Sequence, residues 1–317
     1  MKLKDIIYCG DCIQIMKQIP DETIAGCITD PPYNYEFIGR NWDNAEIERR
    51  TQRVKNSSTL VKNIPYGSGL SGGVRNAAWY KKNRKNTVDY QKWCEEWGKE
   101  LFRITKSGAL VLIFNSTRTV AQVQVAMENV GFYARDMIVW RRQSGIPKGL
   151  NVAKKLEKMG YGNPDKWNGW HSCLRNEWEA ICVVQKPLVN NYITTLQESG
   201  VGLFNTMCGN NGFQSNIIEG IKRDNVESYN IHCTVKPLEL IEKLIHMTMP
   251  ISDDNILIDP FIGSGTTAVA CKKLGIHYLG IDISDEYINI ACKRLADVNS
   301  GLDNTSSQNG LANAVGK

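Results

Sequence analysis

Two short segments of the chain contain residue types that could carry out chemistry. The first is Asp30-Pro31-Pro32-Tyr33, in which the prolines fix φ and restrict the residues that precede them. The Asp30 carboxylate and the Pro31 carbonyl therefore form two acceptors in a rigid relation beside one aromatic face. A planar amino group could donate both hydrogens to them while its ring stacks on Tyr33. The alternative interpretation is an exposed turn after a strand, which Asp30 merely ends.

The second segment is the turn Asp-Pro-Phe-Ile-Gly-Ser-Gly-Thr from Asp259 to Thr266. Its glycines let a ligand approach the backbone, and the helix that follows offers free N–H groups. A dinucleotide fingerprint would need a third glycine at Ala268, and a P-loop would need Gly-Lys-Ser/Thr, so neither motif fits. Asp282 ends the next predicted strand, where an acidic side chain can bind ribose hydroxyls. Its alternative interpretation is a helix cap before Ser284.

Hydrophobic patterns predict the elements that position these segments. Buried strands are predicted at 6–8, 23–29, 109–114, 137–140, 178–184, 256–259 and 278–281. A helical pattern follows 10–11 and stops at Pro20, and further helices are predicted at 90–105, 120–129, 238–249, 266–274 and 285–295. Strands that alternate with helices predict a mostly parallel sheet covered on both faces.

The composition is that of an ordinary soluble globular protein. The 317 residues are 42% hydrophobic and 22% charged, with a formal net charge of +5. No apolar run approaches the roughly 20 residues of a membrane span, and the first residues lack the apolar core of a secretory signal. We therefore expect a cytoplasmic protein without a membrane partner.

The ten cysteines are scattered among apolar neighbours, as in Ala270-Cys271 and Ile290-Ala291-Cys292, which predicts buried reduced thiols. Cys9 and Cys12 have metal-ligand spacing, yet no second Cys-x-x-Cys pair completes a zinc site. We therefore predict no metal site.

Periodicity disappears in four stretches of the chain. Residues 34–88 are predicted to form a mobile loop, 141–176 and 190–231 resemble inserted material, and 299–317 a disordered tail. Residues 34–88 contain 11 Lys and Arg against 4 Asp and Glu, and residues 141–176 contain 8 against 2. Both basic stretches also carry aromatic residues, namely Trp42, Tyr66, Trp79 and Tyr80 in the first and Tyr161, Trp167 and Trp170 in the second. This combination favours nucleic-acid binding over the alternative of a solvated basic face.

Taken together and in this order, the motifs resemble the amino-methyltransferases that modify DNA with S-adenosylmethionine. Asp-Pro-Pro-Tyr near the start and Phe-x-Gly-x-Gly near the end are similar to the permuted β group of that family. The resemblance covers most of residues 5–296 apart from the two loops. It is supported by Gly10-Asp11, by Trp93 and Trp97 on one helix, by Gly108, and by Lys236-Pro237-Leu238.

The resemblance implies a Rossmann-like methyltransferase fold with a mostly parallel seven-stranded sheet and helices on both faces. Residues 1–140 would form the catalytic half, including the basic loop 34–88. Residues 141–231 would form a target-recognition insertion with one core strand near 177–185. Residues 232–298 would form the cofactor-binding half.

The resemblance also assigns roles to particular residues. Asp30, Pro31, Pro32 and Tyr33 would be catalytic. The cofactor set would consist of Phe261, Gly263 and Gly265 at the methionine part, Asp282 at the ribose, Asp11 at the adenine amino group, Thr234 and Lys236 near the methionine carboxylate, and the turn's Asp259 and Thr266. His232 lies near the last two in the sequence but is expected to have a structural role.

The implied activity is methylation of the adenine N6 amino group in double-stranded DNA, as the modification enzyme of a restriction–modification system. Asp-Pro-Pro-Tyr favours adenine, because family members acting on cytosine N4 more often have Ser first. The target base would be flipped out of the duplex. The implied partners are DNA, a cognate restriction endonuclease acting on the same site and, by analogy, a second copy of the chain.

Four alternatives remain at this point. N4 methylation of cytosine uses the same acceptor pair, and an RNA substrate would favour Asn in place of Asp30. A non-catalytic DNA-binding module would not need an intact Asp30 or Gly263. A nicotinamide oxidoreductase is disfavoured by Ala268.

Overall fold

An eight-stranded sheet lies at the centre of the described part of the chain. The computed structural model describes residues 1–33, 77–142, 149–208, 212–222, 224, 226–230, 232 and 235–311, with the backbone alone for 77–83 and 299–311. The strands are β1 (Ile6–Cys9), β2 (Ile24–Thr29), β3 (Thr105–Asn115), β4 (Tyr133–Arg141), β5 (Trp178–Gln185), β6 (Ile217–Ile218), β7 (Ile256–Asp259) and β8 (His277–Asp282).

Helices cover both faces of this sheet. They are α1 (Cys12–Met16), α2 (Ala77–Ile104), α3 (Val120–Val130), α4 (Val152–Lys158), α5 (Tyr192–Ser199), α6 (Leu238–Thr248), α7 (Thr266–Leu274) and α8 (Asp285–Leu311), with a 3-10 turn at Pro164–Trp167. Alternate residues of β3 serve different cores, since Val111 and Ile113 pack with α1, α2 and α3 while Leu112 and Phe114 pack with α6, α7 and α8. The result is the three-layer α/β fold that the sequence predicts.

The strand order is β1-β8-β7-β2-β3-β5-β4-β6, and only β5 runs antiparallel to its neighbours. Strands β1, β2, β3, β7 and β8 therefore end at one edge of the sheet. Strand β5 begins at this edge, where Ala180 pairs with Asn115. The mostly parallel sheet is confirmed, and the two-residue strand β6 makes it eight strands instead of the predicted seven.

The predicted loop 34–88 is wrong at its end, because α2 begins at Ala77. Residues 34–76 lie outside the described residues. Residues 84–89 are helical yet none of them is buried, so this part of the helix has no apolar face to produce a periodic pattern. The first residues of α2 include Ala, Lys and Arg, which have a high intrinsic helix propensity that does not depend on a buried face.

The predicted disordered tail 299–317 is also corrected, since α8 continues to Leu311, and 312–317 lie outside the described residues. Extending a helix that is already nucleated costs much less than starting one. In the insertion 190–231 the sequence analysis missed α5, although Asn191 caps its first turn by accepting from the N–H groups of Ile193 and Thr194.

The prediction of buried reduced thiols is confirmed for five of the described cysteines. Cys12, Cys27, Cys94, Cys182 and Cys271 are buried free thiols. Cys9 and Cys292 are exposed, so the prediction of burial is wrong for these two. No helix within the described ranges is both long and apolar enough to cross a membrane.

Candidate active site

The predicted site residues meet at the edge where the parallel strands end. Asp30 follows β2, and Asp259 and Asp282 are the last residues of β7 and β8, which pair with each other. β1 ends beside β8, where Cys9 pairs with Asp282 and the Gly10 N–H donates to the Asp282 carbonyl at 2.9 Å. In open α/β sheets this carboxyl edge is where ligands bind.

Asp259 shapes the glycine turn from inside the protein. Its Oδ1 accepts from the Thr29 hydroxyl at 2.7 Å and the Phe261 N–H at 3.1 Å, and its Oδ2 accepts from the Thr267 hydroxyl at 2.7 Å. Burial raises the pKa of Asp259 to about 6 in spite of these hydrogen bonds, and the charge of Asp30 adds to the rise. Both carboxylate oxygens are used within the fold, so Asp259 contributes by holding the turn.

This buried carboxyl group leads to a prediction about stability. The pKa of Asp259 is about 6 in the folded protein against 3.8 as reference, so the folded state binds the extra proton between these values. The stability from that proton is present below pH 3.8 and is lost as the pH rises to 6. Asp259→Asn keeps the size of the side chain, and its amide group can donate a hydrogen bond to the Thr267 hydroxyl. Relative to wild type, its free energy of unfolding should rise by about 1–3 kcal/mol between pH 4 and pH 7.

Urea denaturation of both proteins across this pH range measures that difference. Wild-type and variant curves that stay parallel from pH 4 to pH 7 would contradict the assignment of a raised pKa to Asp259.

The glycine turn is packed tightly on both sides. Gly263 and Gly265 have φ of +52° and +83°, a region that other residues rarely adopt. A Cβ at Gly263 would lie 2.8 Å from His232 Nε2, and one at Gly265 would lie 2.6 Å from the Ala291 Cβ. Burial lowers the pKa of His232 to about 4, so its imidazole is neutral at physiological pH. The backbone angles and the packing of the turn against His232 and Ala291 therefore both require glycine at these two positions.

A buried arginine also holds this turn. Arg294 on α8 donates to the Ser264 carbonyl at 2.8 Å and to the Thr266 hydroxyl at 2.9 Å, and its Nε donates to Glu227 at 2.9 Å. Thr266 therefore uses its hydroxyl within the fold. Arg294 could not be predicted as part of the site, because it lies 28 residues after Thr266 on another helix.

Asp282 and Asp11 lie close together on neighbouring strand ends. Asp282 accepts from the N–H groups of Gly263 and Ser284, each at 2.9 Å, so it ties the glycine turn to the segment before α8. The alternative interpretation of Asp282 as the helix cap is wrong, because Ser284 Oγ accepts from the Tyr287 N–H in the first turn of α8. Burial raises the pKa of Asp282, and these N–H groups oppose the rise. Asp11 is exposed and caps α1 by accepting from the Gln14 N–H at 3.0 Å. Each carboxylate keeps lone pairs for a ligand.

Phe261 is held by two tryptophans of α2. Its ring centroid lies 5.5 Å from both Trp93 and Trp97, and the Trp97 contact is edge-to-face. Trp93 and Trp97, two of the residues that support the resemblance, therefore contact the glycine turn through Phe261.

Lys236 contacts the catalytic segment. Its Nζ donates to Asp30 Oδ2 and lies 3.6 Å from Glu179 Oε2, and it is 5.0 Å from the centre of the Phe114 ring. Burial opposes the charge, but the Asp30 and Glu179 carboxylates outweigh it and raise the pKa of Lys236 above its usual value. The ammonium is thus paired with two protein carboxylates, and its place near the methionine carboxylate stays a prediction.

Asp30 and Tyr33 form the other side of this cluster. The Lys236 ammonium lies 5.8 Å from the centre of the Tyr33 ring. Burial, reinforced by the charges of Asp30 and Glu179, raises the pKa of Tyr33 well above its usual range, so its phenol stays neutral. Asp30 Oδ1 is buried and accepts no hydrogen bond from the residues that the structure describes. A buried acceptor of this kind suits a donor brought by a substrate.

Thr234, Pro31 and Pro32 stay predictions, and Glu179 is a residue of the site that was not predicted. Thr234 lies outside the described residues, so its assignment remains a prediction. Pro31 and Pro32 follow Asp30 directly in the structure, at the end of the described segment 1–33. Sequence analysis missed Glu179, although one charged residue within the apolar run 178–184 is a signal that could have found it.

A second surface feature is the aromatic–basic segment, residues 149–177, which contains α4 and the 3-10 turn. Trp167 and Trp170 contact edge-to-face with centroids 6.0 Å apart, yet 62% of Trp170 is exposed. All five of its basic residues are exposed, namely Lys154, Lys155, Lys158, Lys166 and Arg175. Exposed rings among cations suit a polyanion with stacked bases.

Fold and site together define a class of protein: an α/β protein with a mostly parallel sheet, and with a glycine turn and the carboxylates of Asp30, Asp259 and Asp282 at the edge where its parallel strands end. The model of a family described as DNA methylase matches residues 24–293. "Type II methyltransferase M.HindIII" of Haemophilus influenzae (strain ATCC 51907 / DSM 11121 / KW20 / Rd) is 30% identical over 306 residues, 92% of this chain and 95% of that protein. The chain belongs to the DNA methylase family, which covers N6-adenine and N4-cytosine enzymes.

Two solved structures have the same fold. The structure described as the M1.HpyAVI-SAM complex has a TM-score of 0.54 at 21% identity and covers 91% of this chain and 98% of that chain. The PvuII DNA methyltransferase, cytosine-N4-specific, has a TM-score of 0.58 at 14% identity and covers 92% and 89%. Family and fold confirm the predicted resemblance and the predicted cofactor, S-adenosylmethionine.

Proposed function

We propose that this DNA methyltransferase acts on the N6 amino group of adenine in double-stranded DNA, as the modification enzyme of a restriction–modification system. The observation that carries the proposal is the Asp30 carboxylate. Its Oδ2 is held by Lys236, while its buried Oδ1 accepts no hydrogen bond from the described residues. Asp in the first position of the motif favours adenine over cytosine.

The mechanism follows from the chemistry of an exocyclic amine. Its lone pair is delocalised into the ring, and hydrogen bonds to Asp30 and the Pro31 carbonyl would localise density on nitrogen, with Tyr33 stacked on the flipped base. S-adenosylmethionine supplies an electrophilic methyl group on a sulfonium. When bound, it would transfer that methyl group to the amino nitrogen and keep the electron pair of the broken carbon–sulfur bond on sulfur. Asp30 and the Pro31 carbonyl would hold the two amino hydrogens, and the Asp30 carboxylate would be placed to take the proton that the methylated nitrogen loses.

Binding roles can be proposed for the cofactor side. The Gly263 and Gly265 backbone and Phe261 would hold the methionine part, Asp282 the ribose and Asp11 the adenine amino group. The place of the glycine turn after β7, beside the ends of β8 and β1 where Asp282 and Asp11 stand, supports this arrangement. The aromatic–basic segment would contact DNA, within the target-recognition insertion 141–231.

The product of the reaction tests the choice of base. Purified protein is incubated with S-adenosylmethionine and unmethylated bacterial genomic DNA, which is then digested to nucleosides for mass spectrometry. We expect N6-methyladenine at many times the background of a reaction without enzyme. N4-methylcytosine would contradict adenine specificity while keeping the mechanism, and neither product, with cofactor binding intact, would favour RNA or a silent DNA-binding module.

Partners are proposed on the same basis. The relative M.HindIII is named a Type II methyltransferase, which supports a cognate endonuclease acting on the same site. A homodimer is proposed by analogy with the β group, and sedimentation of the purified protein tests it.

A further inference from the structure

Four charged and partly buried side chains form a continuous cluster from the end of β4 to Asp30. Arg142 donates to Glu179 Oε1 at 3.0 Å, Glu179 Oε2 lies 3.6 Å from the Lys236 ammonium, and Lys236 donates to Asp30. The side chains of Glu179 and Lys236 are only 16% and 10% exposed. Of these four residues, Glu179 and Arg142 have no role in the proposed chemistry.

Lys236 lies between two carboxylates in a site with little water. A buried ammonium is costly unless it is fully paired, so its position depends on both partners. The rings of Phe114 and Tyr33, at 5.0 and 5.8 Å from its Nζ, add cation–π contacts that restrict it further.

Glu179 is the most firmly fixed member of this cluster. It belongs to β5, where it pairs with Trp140 of β4 in the interior of the sheet. Its Oε1 is held by Arg142, whose Nη2 also donates to the Asn176 carbonyl at 3.3 Å. Asp30, in contrast, follows the end of its strand. The strand-held carboxylate is therefore suited to orient the lysine, and the lysine to orient Asp30.

We propose that Glu179 is a positioning residue for methyl transfer, which acts by holding the Lys236 ammonium on Oδ2 of Asp30 so that Oδ1 faces the target amino group. The proposal rests on the proposed role of Asp30 as acceptor. In this proposal Glu179 acts through Lys236 and not by direct contact with the base or the cofactor. Its effect should therefore appear in the rate of the chemical step and depend on the presence of Lys236.

A double-mutant cycle tests this dependence. Glu179→Gln should lower kcat by about 5- to 30-fold, while the KM for S-adenosylmethionine changes less than about twofold. Lys236→Met should lower kcat by about 100-fold or more, since it leaves two carboxylates side by side. In the Lys236→Met background, Glu179→Gln should lower kcat no further, because the group through which it acts is gone.

The pH dependence of kcat gives a second readout. Lys236→Met removes the cation from between two anions, so the acidic limb of kcat should move to higher pH and return toward the wild-type position in the double variant. The other groups near Asp30 are unchanged in every variant, namely Tyr33, His232 and Asp259.

The assay measures the total methylated base formed in genomic DNA. Each rate is divided by the concentration of cofactor sites, which titration with S-adenosylhomocysteine gives, so that unfolded protein does not lower the measured kcat. Glu100→Gln is the matched control, because Glu100 is a similarly buried carboxylate, 19% exposed and 3.0 Å from Arg103, near the end of α2 at the opposite edge of the sheet, and its loss of charge should leave kcat unchanged. An equal loss from Glu179→Gln in both backgrounds, or a loss below twofold in the wild type, would overturn the proposal. A wild-type enzyme without methylated product would overturn the proposed function instead.

Discussion

Asp30→Asn is expected to lower the rate of methyl transfer by about 10³-fold or more, while the affinity for S-adenosylhomocysteine stays within about twofold. The amide has the size of the carboxylate but carries no charge. One of its two positions is a donor, which repels the amino group it should accept from. Single-turnover methylation of genomic DNA, alongside calorimetric titration of the cofactor product, measures both quantities.

Asp30→Asn is expected to change the acceptor for the amino group without unfolding the protein. Asp30→Asn leaves Lys236 with the carboxylate of Glu179, so the buried ammonium keeps a counter-ion and the fold should keep its stability. Asp253→Asn is the matched control, because Asp253 is exposed and precedes β7 at the opposite edge of the sheet. An Asp30→Asn enzyme that retains a tenth of the wild-type rate would exclude Asp30 as the essential acceptor.

Much of this site follows from local sequence signals. Asp30, Asp259 and Asp282 each directly follow or end an apolar run, and a buried strand is the simplest structure for such a run. The glycines at 263 and 265 were predicted to allow close approach, and both have positive φ against a packed neighbour. Strands, turns and helices depend on residues that are close together in the chain, so these elements can be predicted from a single sequence.

The side-chain pairs across the site could not be predicted in this way. Lys236 meets Asp30 across 206 residues and Glu179 across 57, and no periodic pattern records which cation lies against which carboxylate. The first part of α2 was missed for a different reason, because an exposed helix buries no stripe of apolar residues. Contacts set by tertiary packing, and helices without a buried face, require the structure.

Gly265→Ala is expected to lower the affinity for S-adenosylhomocysteine by about 100-fold or more, through strain and overpacking of the glycine turn. At a φ of +83° an alanine pays the cost of the left-handed region, and its Cβ would lie 2.6 Å from the Ala291 Cβ and 3.0 Å from the Ala291 Cα. Backbone cannot yield as a flexible side chain does. Either α8 or the turn must move, and Arg294, which ties the two together, would lose its hydrogen bonds to Ser264 and Thr266.

Gly275→Ala separates these two causes. Gly275 follows the other end of α7 with a φ of +69°, yet a Cβ there would meet nothing within 4 Å. It should therefore cost about 1–2 kcal/mol of unfolding free energy from backbone strain and leave cofactor affinity unchanged. Urea denaturation and calorimetric titration of both variants provide the comparison. Equal losses of affinity would mean that strain in the backbone, and not the close approach of α8 to the turn, limits which residue can stand at the cofactor site.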